Sequence, residues 1–100
     1  MLFALFFQQQ TALACTDSNC PGVTIYNCTP GNYKVRFELC CNGTQMTSDI
    51  VPVPASLCRG PAATPDFSPC TVLSLSSIYP TPAQGVTVIY NPTYCVLLIY

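Results

Sequence analysis

The residues of this chain most able to do chemistry are eight cysteines, Cys15, Cys20, Cys28, Cys40, Cys41, Cys58, Cys70 and Cys95. A zinc site built from them would need close cysteine pairs or histidine partners at ligand spacing. The chain has no histidine, and no two of its cysteines stand in a Cys-x-x-Cys pair. An even set spread over a small chain predicts a disulfide framework made in an oxidising compartment, with all eight cysteines paired. Cys40 and Cys41 are adjacent. Neighbouring strand residues point to opposite faces, so these two should bridge in different directions, one into the core and one outward, rather than to each other.

Glycosylation is the second chemistry the residues allow. Asn27-Cys28-Thr29 and Asn42-Gly43-Thr44 are N-linked acceptor sequons, whereas Asn91-Pro92-Thr93 is blocked by its proline. Thr64, Ser68 and Thr81, each followed by proline, are candidates for O-linked sugar. Enzymatic chemistry is not expected. Without histidine the usual nucleophilic triad cannot be built, and no glycine-rich phosphate loop occurs. A glycosidase pair would have to come from Asp17, Glu38, Asp49 and Asp66, each of which reads as a solvated residue on a strand face or turn. No cofactor is implied beyond covalent glycans, and no small-molecule substrate.

Charge narrows the partners. Three basic and four acidic residues leave a net charge of −1, which offers nothing to nucleic acid or to an anionic membrane. Half of the residues are hydrophobic and 7% are charged, against about a quarter charged in an ordinary soluble protein. Repulsion can do little to keep copies apart, so self-association is the expected behaviour.

The elements that must position these residues are short strands. Residues 33–41, YKVRFELCC, alternate Tyr33, Val35, Phe37 and Leu39 with Lys34, Arg36 and Glu38, the pattern of a strand with one buried face. Residues 22–28 should form a hairpin with it through a type II turn at Pro30-Gly31. A two-residue loop there would set Asn27 opposite Lys34 on the polar face and Cys20 opposite Cys41. Residues 44–54 read as an edge strand, because Pro52 and Pro54 bar them from the middle of a sheet. Residues 55–70 read as a loop, and 71–79, 86–90 and 93–100 as further strands. About seven short strands and no helix make an all-β, disulfide-rich β-sandwich, with the N-terminal segment as an extension strand.

The two ends are the most apolar parts. Residues 93–100 are apolar on both faces, which asks for cover on both. Residues 1–7, MLFALFF, crowd Leu2, Phe3, Leu5, Phe6 and Phe7 together. Residues 1–14 end in Ala12-Leu13-Ala14, as a signal peptide would, yet lack a basic start and carry three central glutamines. The alternative division is a working extension, 1–14, ahead of a cysteine-stapled domain, 15–100. Burying five large side chains yields roughly 1.5–3 kcal/mol each, and ordering seven residues of backbone costs about 1–2 kcal/mol apiece. The segment therefore settles only where a sheet edge also supplies backbone hydrogen bonds, as in strand addition.

This layout resembles that of pilin-type fibre subunits, which polymerise by inserting an N-terminal strand into the incomplete sandwich of the next subunit. The resemblance covers the organisation of the whole chain and rests on no diagnostic motif; the eight cysteines and the sequons depart from it. It implies a pilin-like or Ig-like sandwich and a head-to-tail homopolymer, here hardened by disulfides, glycosylated and extracellular, with residues 1–7 inserted near strand 93–100 of a neighbour. The competing expectation is a monomeric secreted cysteine-rich binding protein of effector, toxin or inhibitor type, cleaved before Cys15 and using the 55–70 loop as its contact surface.

Overall fold

A computed structural model describes residues 13–100; the expected assembly residues Leu2, Phe3, Leu5, Phe6 and Phe7 lie outside them. The described chain forms β1 (Thr24–Asn27), β2 (Tyr33–Cys41), β3 (Thr44–Thr47), β4 (Val51–Val53), β5 (Thr71–Tyr79), β6 (Val88–Asn91) and β7 (Val96–Ile99). These make a small disulfide-rich β-sandwich of two sheets. In one, β2 is central, with β5 on one side and β3 and β4 in succession along the other. In the other the order is β1-β7-β6. Among the described residues there is no helix.

Alternation on β2 sorts its side chains as expected: Tyr33, Val35, Phe37 and Leu39 are buried, while Lys34 and Arg36 are exposed. Phe37 is the centre of the core, with the rings of Phe67 and Tyr90 edge-on to it at 5.7 and 6.1 Å. Ile25, Leu97 and Ile99 from the second sheet close the core from the other side.

Two local expectations are corrected. β1 does not form a hairpin with β2; it runs parallel to β7, Thr24 opposite Val96 and Asn27 opposite Ile99. Gly31 does not take the positive φ that a type II turn needs, and residues 28–32 instead carry the chain from one sheet to the other. The tight hairpin lies between β2 and β3. There Asn42 (φ 54°) and Gly43 (φ 83°) both adopt left-handed backbone between the paired Cys41 and Thr44, the type I′ geometry that matches strand twist.

The 55–70 stretch is not a free loop either. Its backbone zips along the outer edge of β1: Asn27 and Leu57 exchange N–H···O bonds, Ile25 N–H donates to Ala63 O, and Val23 N–H donates to Pro65 O. The approach is close enough that a Cβ on Gly22 would lie 2.8 Å from Pro65 O. At the other end of the described chain, Leu13 and Cys15 pair with the free edge of β3. Gln45 N–H donates to Leu13 O and Cys15 N–H to Gly43 O.

Residues 96–99 are central in their sheet. β1 occupies one backbone edge of β7 and β6 the other, so no strand can be added beside it. One face of β7 is covered, since Leu97 and Ile99 are wholly buried; on the other, Leu98 and Tyr100 remain 37% and 52% exposed.

Candidate functional site

All eight cysteines are paired, as Cys15–Cys40, Cys20–Cys95, Cys28–Cys58 and Cys41–Cys70. The adjacent pair does bridge in different directions. Cys41 faces the core side of β2 with Leu39 and joins it to the start of β5, whereas Cys40 lies on the outer face, buried beneath the bridge to Cys15. Cys20 does not face Cys41; its bridge to Cys95 ties the approach to β1 to the approach to β7. The loops closed contain 25 to 75 residues, for which chain-entropy arguments give about 3.5–4.5 kcal/mol per bridge. Four such bridges belong to an oxidising environment.

Asn27 is not on a polar face. Its side chain shares the inward parity of Val23 and Ile25 and is 0% exposed. Its amide donates from Nδ2 to Gly31 O (2.8 Å) and to Pro54 O (3.1 Å), and its Oδ1 accepts from the N–H and the Oγ1 hydroxyl of Thr29 (3.0 and 2.8 Å). Every bonding position of the amide is used inside the protein, so a glycan has no place on Asn27 of the folded domain; this corrects the sequon reading. Asn42 differs, being exposed at the tip of the β2–β3 hairpin. Thr64, Ser68 and Thr81 are exposed as well. The Ser68 hydroxyl and N–H both donate to Asp66 Oδ1, and these bonds hold the Asp66 carboxyl below its usual range.

Two of the four carboxylates share a cleft. Asp17 lies 3.5 Å from the Thr71 hydroxyl and Glu38 accepts from the Thr47 hydroxyl at 3.2 Å. Asp49 and Asp66 line a cleft of about 400 Å³ whose apolar wall includes Leu39, Met46, Phe67 and the Cys41–Cys70 bridge. A smaller cleft of about 240 Å³ lies at Tyr33, Pro52 and Pro54. Among the described residues no group of three or more His, Cys, Asp or Glu side chains is placed to hold a metal ion, and no helix is long and apolar enough to cross a membrane.

The remaining candidate surface is apolar. On the outer face of the β1-β7-β6 sheet, Tyr26, Leu98 and Ile89 stand side by side in register across the three strands. Leu98 and Ile89 are 37% and 46% exposed. None of the charged residues lies on these strands. Comparison with protein-family models, with curated proteins and with solved structures finds no match.

Proposed function

We propose that this protein is the structural subunit of an extracellular, glycosylated fibre, assembling head to tail with copies of itself by addition of its N-terminal strand. The reading is carried by one observation: a register-matched apolar row, Tyr26, Leu98 and Ile89, on the uncharged outer face of the three-stranded sheet, in a chain whose first seven residues include five large apolar side chains. Contiguous apolar surface of that kind marks an interaction site. A head-to-tail contact that does not close generates a filament. The four bridges supply hardness outside the cell, and sugar at Asn42, with Thr64, Ser68 and Thr81 as further acceptors, supplies hydration that seven charges do not. In this role the protein catalyses nothing, needs no cofactor, and binds neither nucleic acid nor membrane in its mature form. Electron microscopy of the purified full chain tests the reading; filaments support it and monodisperse particles oppose it.

A second reading, a monomeric secreted cysteine-rich binding protein, is favoured by the cleft beside Phe67 and Asp66. It requires a mature protein that begins near Cys15, which intact mass decides.

A further inference from the structure

We infer that the acceptor for residues 1–7 of a second copy is the free backbone edge of β6, with Val88 and Tyr90 as its hydrogen-bonding residues. The inference rests on the fibre reading and adds to it the identity of the receiving edge.

Each other edge of the sandwich is closed or ill suited among the described residues. β1 is covered by the 55–70 segment, and β3 carries Leu13 to Cys15. β4 holds Pro52 and is followed by Pro54, and proline withholds ladder donors. The start of β5 is closed as well, since Val72 N–H donates to Cys20 O and Val72 O accepts from the Ser18 hydroxyl; what remains is the rest of β5 and β6, on the same side of the sandwich because β3 and β4 share the opposite side with the 55–70 segment.

Of these two, β6 offers both bonds and matching chemistry. Thr87 and Tyr100 exchange N–H···O bonds at 2.6 and 2.9 Å. By the alternation of an antiparallel ladder, Thr87, Ile89 and Asn91 therefore point their backbone groups at β7, and Val88 and Tyr90 point theirs away. Among the described residues neither Val88 nor Tyr90 has a backbone partner on that outward side. Their side chains face inward and are only half-buried, and the Tyr90 hydroxyl is buried without a partner.

Residues 1–7 are apolar at both parities, with Phe3, Leu5 and Phe7 on one side of an extended strand and Leu2, Ala4 and Phe6 on the other. A strand added to β6 meets apolar side chains on both sides: Val88 and Tyr90 on the core side, and Ile89 with Leu98 behind it on the outer side, where Thr87 and Asn91 flank Ile89. The β5 edge fits on one side only, because it carries exposed Ser74, Ser76 and Ser77 and belongs to the sheet whose outer face bears Lys34 and Arg36. A two-faced apolar strand selects the edge that offers apolar contacts on both sides.

The donor comes from a neighbour because the chain's own segment is too short. Leu13 leaves from beyond β3, so a path to β6 passes β3, β2 and β5 at about 4.8 Å per strand and then the roughly 10 Å between sheets. That is about 24 Å along the surface, whereas the six steps from Phe7 to Leu13 reach about 20 Å when fully extended.

The test uses the full chain and three variants. Val88→Pro removes an outward N–H without touching a β6–β7 bond, Ile89→Lys places a charge on the outer row, and Ser76→Lys does the same at the β5 edge. Retention of four disulfides by intact mass shows that each variant folds. The expected result is filaments for the parent and Ser76→Lys, with at least a tenfold loss of polymer for Val88→Pro and Ile89→Lys. A photo-crosslinking phenylalanine analogue at Phe6 should join mixed, differently tagged copies through residues 86–91. Filaments undiminished in both β6 variants, or crosslinks to β5, would overturn the edge assignment while leaving the fibre reading intact. A parent chain that never polymerises would overturn both.

Discussion

Replacement of Asn27 should destabilise this domain more than replacement of any other uncharged polar residue. The side chain is wholly buried and makes four hydrogen bonds, to Gly31 O, Pro54 O and twice to Thr29. Asn27→Ala removes all four and leaves two carbonyls and one N–H without partners where the chain passes between sheets. Net bonds are worth about 0.5–1.5 kcal/mol and an orphaned buried group costs about 1–3 kcal/mol, so a loss of roughly 3–5 kcal/mol follows after local relaxation. For a domain of this size about 1 kcal/mol moves Tm by 4–8 °C, so the midpoint should fall by roughly 12–40 °C in non-reducing thermal melts. Asn27→Asp keeps the acceptor but aims oxygen at the two carbonyls, and burial raises the folded pKa of the new carboxyl above its unfolded value of about 3.9. A raised folded pKa means that the folded state holds the proton more tightly. The variant is therefore least damaged below pH 4 and loses stability as pH rises through the folded pKa. A change under about 0.5 kcal/mol in Asn27→Ala, small beside even one such bond, or a glycan on Asn27 of folded protein, would show that the amide is not held in this buried network.

Thiol titration of denatured, unreduced protein should find almost no free thiol, and peptide mapping should return Cys20–Cys95 and Cys41–Cys70 rather than a Cys40–Cys41 bridge. Gly22→Ala should cost about 1–3 kcal/mol in urea unfolding, because the added methyl meets Pro65 O at 2.8 Å. In protein lacking residues 1–7, Tyr90→Phe should be neutral or stabilising, since it deletes a buried hydroxyl that has no partner among the described residues. Burial raises the Tyr90 pKa above its ordinary value, so stability present below pH 10 should decline as pH rises further, and that decline should shrink in the phenylalanine variant. Mass mapping of native material should find sugar on Asn42 and none on Asn27.

The strands β2 and β5 could be read to the residue, because a long alternating or β-rich run bounded by turn residues specifies its own extent. Pairing could not. The Pro30-Gly31 dipeptide pointed to a local hairpin, whereas β1 takes a parallel partner some seventy residues away, and no local pattern encodes that choice. The true hairpin signal, Asn42-Gly43, stood in plain sight but was absorbed into the sequon reading. Burial of Asn27 also had a signal, its shared parity with Val23 and Ile25, which the assumed hairpin overrode. Residues 55–70 read as a loop and form no named strand, yet they bond along β1. The cysteines were legible as a set; their connectivity depends on which strands lie together in space.

The central claim, polymerisation through the N-terminal strand, is met most directly by comparing the full chain with a chain lacking residues 1–7 in sedimentation and electron microscopy under identical oxidising conditions. Filaments are expected from the first and soluble monomers with four intact disulfides from the second. Filaments from the truncated chain would contradict it.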